Sequence, residues 1–303
     1  MKVGIFYSSI TRPDKFPNKT TLMDAFAIGA KQQGDEVIEF RHREPINAAV
    51  DVGFVLGYTA EQNYRREIID SLIKQGARPV FVDSNILNYS CSDHKWHRYS
   101  LDTVYPDTGT YFFADKLEPR WREFSRHHSV QAERWRTQGR HVLILCQRPN
   151  GWNMIGNDQD AWLDSIIARI RQHTDRPIRV RMHPGDGSKA QQLSKLAMRY
   201  GKTIQLSAGG NIREDLKDCW AAVGYNSTPN AVAAIEGIPV YVDDPVRSWA
   251  KDVAFKDLSQ IENPEMPDRT TWLEKIANIH WSNQEVASGK LWLAIKHYIS
   301  SAR

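Results

Sequence analysis

The segment GYNSTPNAVAAIEGIPVYVDDP, Gly224 to Pro245, contains the pattern that decides the fold class. It follows a short apolar run and opens with Asn, Ser and Thr, whose side-chain oxygens can cap a helix that accepts Pro229 in its first turn. Asn230 to Glu236 predicts that helix, and Gly237 fits the left-handed position that ends one. Val240 to Val242 is β-branched and aromatic, which predicts a buried strand. The segment therefore predicts one strand, helix, strand unit of a parallel sheet.

Two aspartates, Asp243 and Asp244, follow the last strand of this unit, where the strand leaves the sheet. The carboxyl ends of parallel strands form the ligand-binding edge of open α/β sheets. A helix N-terminus at the same edge favours anions, because its N–H groups and its dipole both attract negative charge. A nucleotide diphosphate is the natural ligand for such an edge. The alternative is a purely structural turn, as in any α/β domain.

Strands and helices alternate along the whole chain, in two series. The first half predicts strands at Lys2–Ser8, Glu36–Arg41, Val52–Tyr58 and Pro79–Asp83, and helices at Thr20–Gly34 and Gln62–Gly76. The second half predicts strands in HVLILCQRP, PIRVRMHPGDG and TIQLS before the opening segment, and helices at Trp162–His173 and Lys189–Tyr200. Each series predicts a wound parallel sheet.

The length of 303 residues favours two domains. We predict an N-terminal Rossmann-like domain at 1–138 and a C-terminal Rossmann-like domain at 139–282, facing each other across a cleft. A final helix at Asn283–Ser300, within a third segment of 283–303, is expected to pack back on the first domain. The first strand is followed by YSSITRPDKFPNKT, with no GxGxxG motif, which disfavours a dinucleotide-binding first domain.

Composition is ordinary for a soluble globular protein, with 41% hydrophobic and 25% charged residues. No segment approaches the ~20 apolar residues of a membrane span, and the N-terminal MKVGIFYSS predicts a strand and not a signal peptide. We therefore expect a cytoplasmic protein with no membrane partner. The sequence does not indicate an oligomeric state.

The three cysteines, Cys91, Cys146 and Cys219, have neither CxxC nor metal-ligand spacing, so we expect reduced thiols, no metal site and no cofactor. A net charge of +4 permits a polyanionic partner without requiring one. The arginine-rich stretch from Arg120 to His141 is interpreted either as a solvated helix that leads to a linker or as a phosphate contact.

The ends of the strands in the second half carry polar side chains suited to a nucleotide and its diphosphate. Arg148 and His183 can donate to phosphates, Gln147 can contact a base or sugar, and Trp152 can stack on either. For His183 the alternative is a structural histidine, but its position beside PGDG at a strand end favours the ligand role. The candidate donor-binding residues are Gln147, Arg148, Trp152, His183, Asp186, Gly187, Asn226, Ser227, Thr228, Asp243 and Asp244.

Two wound domains, of which the second carries side chains suited to a nucleotide diphosphate, resemble the GT-B fold of glycosyltransferases. Within that fold, the chain resembles glycosyltransferase-like proteins of tailed phages over most of Pro79 to Trp292. The segments that carry the likeness are LILCQRPNGWNMIGNDQDAW, TDRPIRVRMHPGDG, the opening segment, DLSQIENPEMPDRTTWLEKIANIHW and HRYSLD. The resemblance implies a metal-independent enzyme with a UDP-sugar as co-substrate, located in the host cytoplasm if phage-encoded. Some such phage enzymes glycosylate hydroxymethylated pyrimidines in DNA.

One residue departs from the GT-B pattern. Many members have a ribose-binding glutamate five residues before the glycine of the GIPV turn, and this chain has Val232 there. Glu236 is displaced by about one helical turn and does not inherit the role. Ribose recognition is therefore expected from Asp243, Asp244 or backbone groups.

Transfer with inversion needs a general base close to the acceptor hydroxyl. The candidates lie in the long stretch after the fourth strand: Asp93, His94 and Asp102, with Asp83 behind them. The alternative for each is a capping or surface role. The acceptor-binding candidates are Arg12, Lys15, Lys19, Lys95, Trp96 and Arg98, which are alternatively only solubilising loop residues.

The sequence thus predicts transfer of glucose or arabinose from a UDP-sugar to 5-hydroxymethylcytosine, or another hydroxymethyl pyrimidine, in phage DNA. One alternative keeps the GT-B fold and takes a surface polysaccharide or lipid-linked glycan as acceptor. A second alternative is a non-catalytic DNA-binding protein on a degenerate GT-B fold. Nucleotide binding separates the last from the two enzymes.

Overall fold

A computed structural model describes residues 1–10, 17–43, 46, 48–59, 61–87, 95–114, 116–148, 154 and 156–301. The chain divides into two compact units, Met1–Phe124 with Leu273–Arg303, and Ser125–Trp272. The domain limits of 1–138, 139–282 and 283–303 stay a prediction beside this division. Among the described residues, no helix is both long enough and apolar enough to cross a membrane.

The first unit is built on a six-stranded sheet. Its strands are β1 (Lys2–Ile5), β2 (Glu36–Glu39), β3 (Val52–Leu56), β4 (Arg78–Asp83), β5 (Trp96–Leu101) and β11 (His280–Ser282). Their order is β11-β5-β4-β3-β1-β2, and the four strands from β4 to β2 are parallel. β5 runs antiparallel to β4, and β11 runs antiparallel to β5.

Strand β5 lies within the long stretch after the fourth strand, where the sequence predicted no strand. All six residues from Trp96 to Leu101 are buried. Arg98 is tolerated there because it has partners: it donates to the carboxylate of Asp83 and to the carbonyl of Ser84. The hydroxyl of Tyr99, by contrast, is buried without a hydrogen-bond partner among the described residues. The four strands that the sequence predicted are parallel, and two further strands with polar sequences, which it did not predict, extend the sheet antiparallel on the β4 side.

Helices of the first unit pack on its sheet or on one another. They are α1 (Pro17–Gln32), α2 (Tyr64–Lys74), α9 (Asn283–Ala287) and α10 (Lys290–Ser301). A Cβ at Gly29 would lie 2.1 Å from the carbonyl oxygen of Val286, so only glycine lets α1 approach α9 this closely. The predicted helix Asn283–Ser300 is interrupted at Gly289, which has a φ of +79°. Trp292 on α10 is buried and donates to Asp35 over 2.6 Å.

The second unit is built on a five-stranded parallel sheet. Its strands are β6 (His141–Leu145), β7 (Ile178–Arg181), β8 (Ile204–Leu206), β9 (Cys219–Gly224) and β10 (Val240–Val242). Its helices are α4 (Gln159–Arg171), α5 (Lys189–Tyr200), α6 (Ile212–Leu216) and α7 (Pro229–Ile235). The order β10-β9-β6-β7-β8 is that of a Rossmann-like sheet. The remaining helices, α3 (Trp121–His127) and α8 (Thr270–Asn278), lie where the chain passes between the ranges of the two units.

The core of the second unit confirms the pattern of the opening segment. β9, α7 and β10 follow one another as predicted, and every residue of the two strands is buried. Burial raises the pKa values of the Cys146 and Cys219 thiols to about 12, so both are protonated structural side chains. The predicted α/β class with two Rossmann-like domains is confirmed.

Candidate active site at the carboxyl edge of the second sheet

The second sheet has its topological switch point between β6 and β9. From β6 the chain passes through α4 to β7 on one side, while β9 and β10 lie on the other side of β6. Open α/β sheets bind ligands outside the carboxyl ends of the strands at such a point. The residues that follow these strands therefore define the candidate site.

Gln147 and Asn226 join the two strand ends at the switch point. The Nε2 of Gln147 donates to the Oδ1 of Asn226, and the Nδ2 of Asn226 donates over 3.0 Å to the Oδ2 of Asp244. Both amides are almost fully buried. The Oε1 of Gln147 has no hydrogen-bond partner among the described residues. A buried oxygen left without a donor is costly, so it is an acceptor available to a bound ligand.

His183 follows β7 and is held by its own loop. The backbone N–H of Gly185 donates over 3.0 Å to Nδ1 of His183, which leaves Nε2 as the N–H donor of the neutral ring. Burial lowers the pKa of His183, and the positive charge of Arg148 lowers it further. Arg148 is exposed after β6. The pair therefore combines a neutral donor with a cation, which suits a diphosphate.

Asp186 and Gly187 complete the loop after β7. The Oδ1 of Asp186 accepts from the backbone N and the hydroxyl of Ser188, over 2.8 and 2.7 Å, so this carboxylate orders the start of α5. Its Oδ2 is buried without a partner among the described residues. A Cβ at Gly187 would meet nothing within 4 Å, so the space beside this backbone is open.

The turn before α7 differs from the predicted capping. Thr228 stands at the N-cap position with helical angles (φ −56°, ψ −37°), and its side chain makes no capping hydrogen bond. Ser227 is buried. The predicted cap was therefore wrong for Thr228, while the side chain of Asn226 bonds to Gln147 and Asp244.

Asn230 is a polar residue of this site that the sequence did not single out. It is fully buried in α7, and neither its Oδ1 nor its Nδ2 has a partner among the described residues. A Cβ at Gly224 would lie 2.4 Å from its Nδ2, so the glycine at the end of β9 provides the space for this amide. The only sequence signal was an asparagine in a run of alanines and valines.

The two aspartates after β10 have different surroundings. Asp243 accepts from Arg169 over 2.8 Å, from the Trp162 indole over 2.9 Å and from the Tyr241 hydroxyl over 3.1 Å. Those contacts fix it to its own sheet and helix. Asp244 bonds to Asn226, so it belongs to the chain of amides at the switch point.

Only some of the acceptor and base candidates lie among the described residues. Asp93, His94, Trp152, Arg12 and Lys15 lie outside the described residues. Asp102 pairs with Arg78 over 3.0 Å at the amino end of β4, because the antiparallel β5 ends there. It therefore does not lie at the carboxyl edge where a base was expected.

Three acceptor-binding candidates, Lys95, Trp96 and Arg98, were expected on an exposed loop. Two of them, Trp96 and Arg98, lie in strand β5 instead. Trp96 is buried against Phe124, with ring centroids 5.7 Å apart, so its face is not open to a base. Arg98 is buried and pairs with Asp83 over 2.6 Å. Lys95 is exposed and Lys19 is partly exposed on α1. Trp96 and Arg98 are therefore packing residues of the first sheet and not surface contacts for DNA.

No group of three or more His, Cys, Asp or Glu residues that could hold a metal ion occurs in the described part of the chain. The absence of a metal from the reaction stays a prediction.

The fold is shared with solved glycosyltransferase structures. No family model matches the chain, and no curated protein sequence matches it. The β-Kdo 2,4 transferase of KpsC from Thermosulfurimonas dismutans is 13% identical, with a TM-score of 0.56, covering 91% of this chain and 90% of that one. The β-Kdo 2,7 transferase of KpsC from the same organism is 10% identical, with a TM-score of 0.52, covering 97% and 99%. At these identities the likeness establishes the fold, which is glycosyltransferase-like and of the GT-B type.

Proposed function

We propose that this protein is a glycosyltransferase that moves a sugar from a nucleotide donor to an acceptor hydroxyl. The observation that carries the proposal is the Gln147–Asn226 bond across the switch point of the second sheet, with His183 and Arg148 on the neighbouring strand ends. This edge offers an unpaired buried acceptor, a neutral N–H donor and a cation. These are the groups that a nucleoside diphosphate requires.

The chemistry follows from the charge that develops on the leaving group. The bond between the anomeric carbon and the phosphate oxygen breaks with its electron pair on oxygen, while the acceptor oxygen bonds to the anomeric carbon. Arg148 and the Nε2–H of His183 stabilise the diphosphate as its charge increases, and donors already in position lose little energy to reorganisation. The proton of the acceptor hydroxyl passes to a general base.

UDP remains our proposed nucleotide. The Oε1 of Gln147 accepts an N–H, which the uracil ring provides. Val232 is buried in α7 and has no polar atom for the ribose. Asp244 is the better ribose candidate of the two aspartates, because Asp243 already accepts three hydrogen bonds from side chains.

The general base is proposed among Asp93 and His94. Asp102 pairs with Arg78 at the opposite edge of the first sheet, and Asp83 pairs with Arg98. Either aspartate would have to leave a guanidinium before it could take a proton from the acceptor.

For the acceptor, a glycan is now favoured over a hydroxymethyl pyrimidine in DNA. Two of the residues expected to contact DNA, Trp96 and Arg98, are buried in the first sheet. Lys19 and Lys95 stay at the surface, and the other expected contacts, Arg12, Lys15 and Trp152, lie outside the described residues. The names of the two KpsC transferases give the transferred sugar, Kdo, and not its acceptor, so they do not distinguish the two candidates. DNA carrying 5-hydroxymethylcytosine stays the second candidate, on the strength of the sequence resemblance.

One experiment tests the function and its acceptor together. The protein is incubated with a panel of nucleotide sugars and with either hydroxymethylated DNA or bacterial surface glycans, and the products are measured by mass spectrometry of nucleosides and of released glycans. Sugar on a glycan supports the favoured version, and sugar on a nucleoside supports the second. Failure of every donor to react or to raise the melting temperature would refute the transferase proposal. Turnover that EDTA abolishes and manganese restores would refute metal independence.

A further inference from the structure

The first sheet has a switch point of its own, between β1 and β3. β1 connects through α1 to β2 on one side, and β3 connects through α2 to β4 on the other. The segments that leave these strands are Tyr7–Ser9, a short 3₁₀ turn, and Gly57–Thr59. This is the position in the first unit where an open α/β sheet binds a ligand.

Arg65, in the first turn of α2, extends its guanidinium into this position. Its Nη2 donates over 2.9 Å to the carbonyl oxygen of Ser9. Its Nη1 is 3.8 Å from the place where a Cβ at Gly57 would be. Its Nε is buried with no hydrogen-bond partner among the described residues. Asn63 holds the turn in place by accepting from the backbone N–H groups of Arg65 and Arg66.

Among the described residues, no acid balances the charge of Arg65. The neighbouring arginines are paired, Arg66 with Asp70 over 2.6 Å and Arg41 with Glu39 over 2.7 Å. No carboxylate within the described ranges forms an ion pair with Arg65. Burial lowers its pKa, with no acidic group acting in the other direction. A guanidinium stays charged at physiological pH, so partial burial without a counterion is unfavourable in the ligand-free protein.

A second cation lies at the same edge. Arg43 is exposed, and its guanidinium lies over the ring of Tyr64, 5.0 Å from the centroid. The Tyr64 hydroxyl is within hydrogen-bond distance of the carbonyl of His42, at 3.3 Å, and of the Ser8 hydroxyl, at 3.5 Å. Tyr64 therefore connects the ends of β1 and β2 beside Arg65.

We propose that Arg65, with Arg43, Tyr64, Ser8 and Gly57, forms an oxyanion subsite that holds a carboxylate or phosphate group of a substrate. The planar guanidinium suits the oxygens of either group. Gly57 has a φ of +67° and no side chain, which leaves the approach to Nη1 open. Assigning the bound group to the acceptor rests on the proposed function, whereas the binding of an oxyanion by this cluster does not.

A single acidic group on a glycan fits this subsite better than a DNA strand. DNA binding uses a row of exposed cations along the phosphates. Here the guanidinium of Arg65 is partly enclosed and that of Arg43 is exposed, while Arg41 and Arg66 are already paired with Glu39 and Asp70. The subsite therefore accommodates one charged group.

The test measures the affinity for inorganic phosphate by isothermal titration calorimetry. Saturating UDP is present, so that it occupies the diphosphate site of the second sheet. We expect saturable binding to the wild-type protein and at least tenfold weaker binding to Arg65→Gln. Arg41→Gln is the matched control, because Arg41 is paired and exposed, and it should bind phosphate as the wild type does. In phosphate-free buffer Arg65→Gln should melt at the same temperature as the wild type or higher, since it removes an unbalanced charge.

The result that overturns the subsite is phosphate binding that survives Arg65→Gln, or no phosphate binding by the wild type. A purely structural arginine would instead give a lower melting temperature in Arg65→Gln, restored by Arg65→Lys, with no change in phosphate binding. Competition for phosphate by glucuronate supports a carboxylate sugar as the source of the oxyanion. Tight, salt-sensitive binding of an oligodeoxynucleotide that Arg65→Gln leaves unchanged counts against a carboxylate sugar as the ligand of this subsite. If UDP fails to bind, the donor site is refuted, but the difference between wild type and Arg65→Gln in UDP-free phosphate still reports on this subsite.

Discussion

Gln147 donates a hydrogen bond through its side-chain amide to the side-chain oxygen of Asn226, and this bond connects the ends of β6 and β9. The two residues are 79 positions apart in sequence and lie side by side because β6 and β9 are neighbours in the sheet. Asn226 extends the chain to Asp244 at the end of the next strand. Three adjacent strand ends are therefore linked through side chains.

Replacing Gln147 with alanine should remove this link and leave a buried oxygen of Asn226 without its donor. We expect the free energy of unfolding to fall by about 1–3 kcal/mol, the usual cost of a buried polar group left unpaired. The stabilisation by UDP should also weaken. Urea denaturation and melting curves with and without UDP measure both effects. Gln131→Ala is the control, because Gln131 is exposed in the same unit. Equal effects of the two variants would contradict the role of Gln147.

The lowered pKa of His183 makes a prediction about acid stability. A histidine whose pKa is lower in the folded protein binds fewer protons there than in the unfolded chain, so it destabilises the fold as the pH falls below the ordinary value of 6.5. Removing the ring by His183→Gln should therefore improve stability at about pH 5 relative to pH 8, compared with the wild type. His141 has a lowered pKa as well, but it is present in both proteins and its contribution cancels.

Urea denaturation of the wild type and of His183→Gln across this pH range measures the difference. Equal pH profiles would mean that the environment of His183 does not lower its pKa. At neutral pH His183→Ala, which leaves no donor at this position, should weaken the UDP-induced rise in melting temperature, and turnover should fall by roughly 100-fold, as for the loss of one donor to a developing anion. Glutamine carries N–H donors of its own, so His183→Gln serves only the comparison of acid stability.

The close approach of Gly224 to Asn230 predicts a steric effect. A Cβ at Gly224 would lie 2.4 Å from the Nδ2 of Asn230, which is fully buried and cannot move into solvent. Gly224→Ala should cost about 1–3 kcal/mol of stability, as for overpacking in a core. The double variant with Asn230→Ala should recover part of this loss. Gly187→Ala is the control, because a Cβ there meets nothing within 4 Å. No recovery in the double variant would show that Asn230 is not the obstacle.

The sequence predicted the second sheet better than the first. The bounds of α5 and β10 agree with the predicted Lys189–Tyr200 and Val240–Val242, because apolar periodicity and the flanking Gly and Pro residues define those elements locally. β5 was missed because its sequence, WHRYSL, is rich in polar residues, and its arginine, Arg98, is buried through partners on β4 and directly after it. Such pairings depend on tertiary neighbours.

In the candidate site, the sequence likewise predicted the positions of residues better than their side-chain partners. Strand order brings Gln147, His183, Asn226 and Asp244 to one edge, as the sequence predicted for residues that follow parallel strands. The sequence could not say that Asp243 would be held by Arg169 and Trp162 while Asp244 joined Asn226. It also gave no indication that Asn230 or Arg65 would be buried with unpaired atoms.

The burial of Arg98 changes what its substitution can reveal. Arg98 has 4% of its side-chain surface exposed and pairs with Asp83, which has 27% exposed. Arg98→Ala should cost roughly 2–3 kcal/mol, because it leaves the carboxylate without its partner, although the exposure of Asp83 reduces the penalty. Lys95→Ala, at an exposed position one residue before β5, should be neutral. Urea denaturation compares them, and an Arg98→Ala variant as stable as Lys95→Ala would contradict the buried pair.

The salt dependence of turnover distinguishes the two acceptor candidates. A protein that binds DNA through several phosphates releases several counterions, so the logarithm of its affinity falls with a slope of about 0.7 to 0.9 per phosphate contact. A glycan held by one oxyanion at Arg65 should show a slope close to that of a single charge. We expect the shallow slope with a glycan acceptor. We also expect that the double charge reversal, Lys19→Glu with Lys95→Glu, leaves the Michaelis constant for the glycan unchanged. The measurement is initial rate against acceptor concentration at several salt concentrations, with the UDP-induced stabilisation of each variant as the folding control.

A steep slope on hydroxymethylated DNA, together with a higher Michaelis constant for DNA in the double variant, would identify DNA as the acceptor. Lys19 and Lys95 would then be part of the DNA-binding surface. Arg98 is left out of this test, because its substitution breaks the ion pair with Asp83.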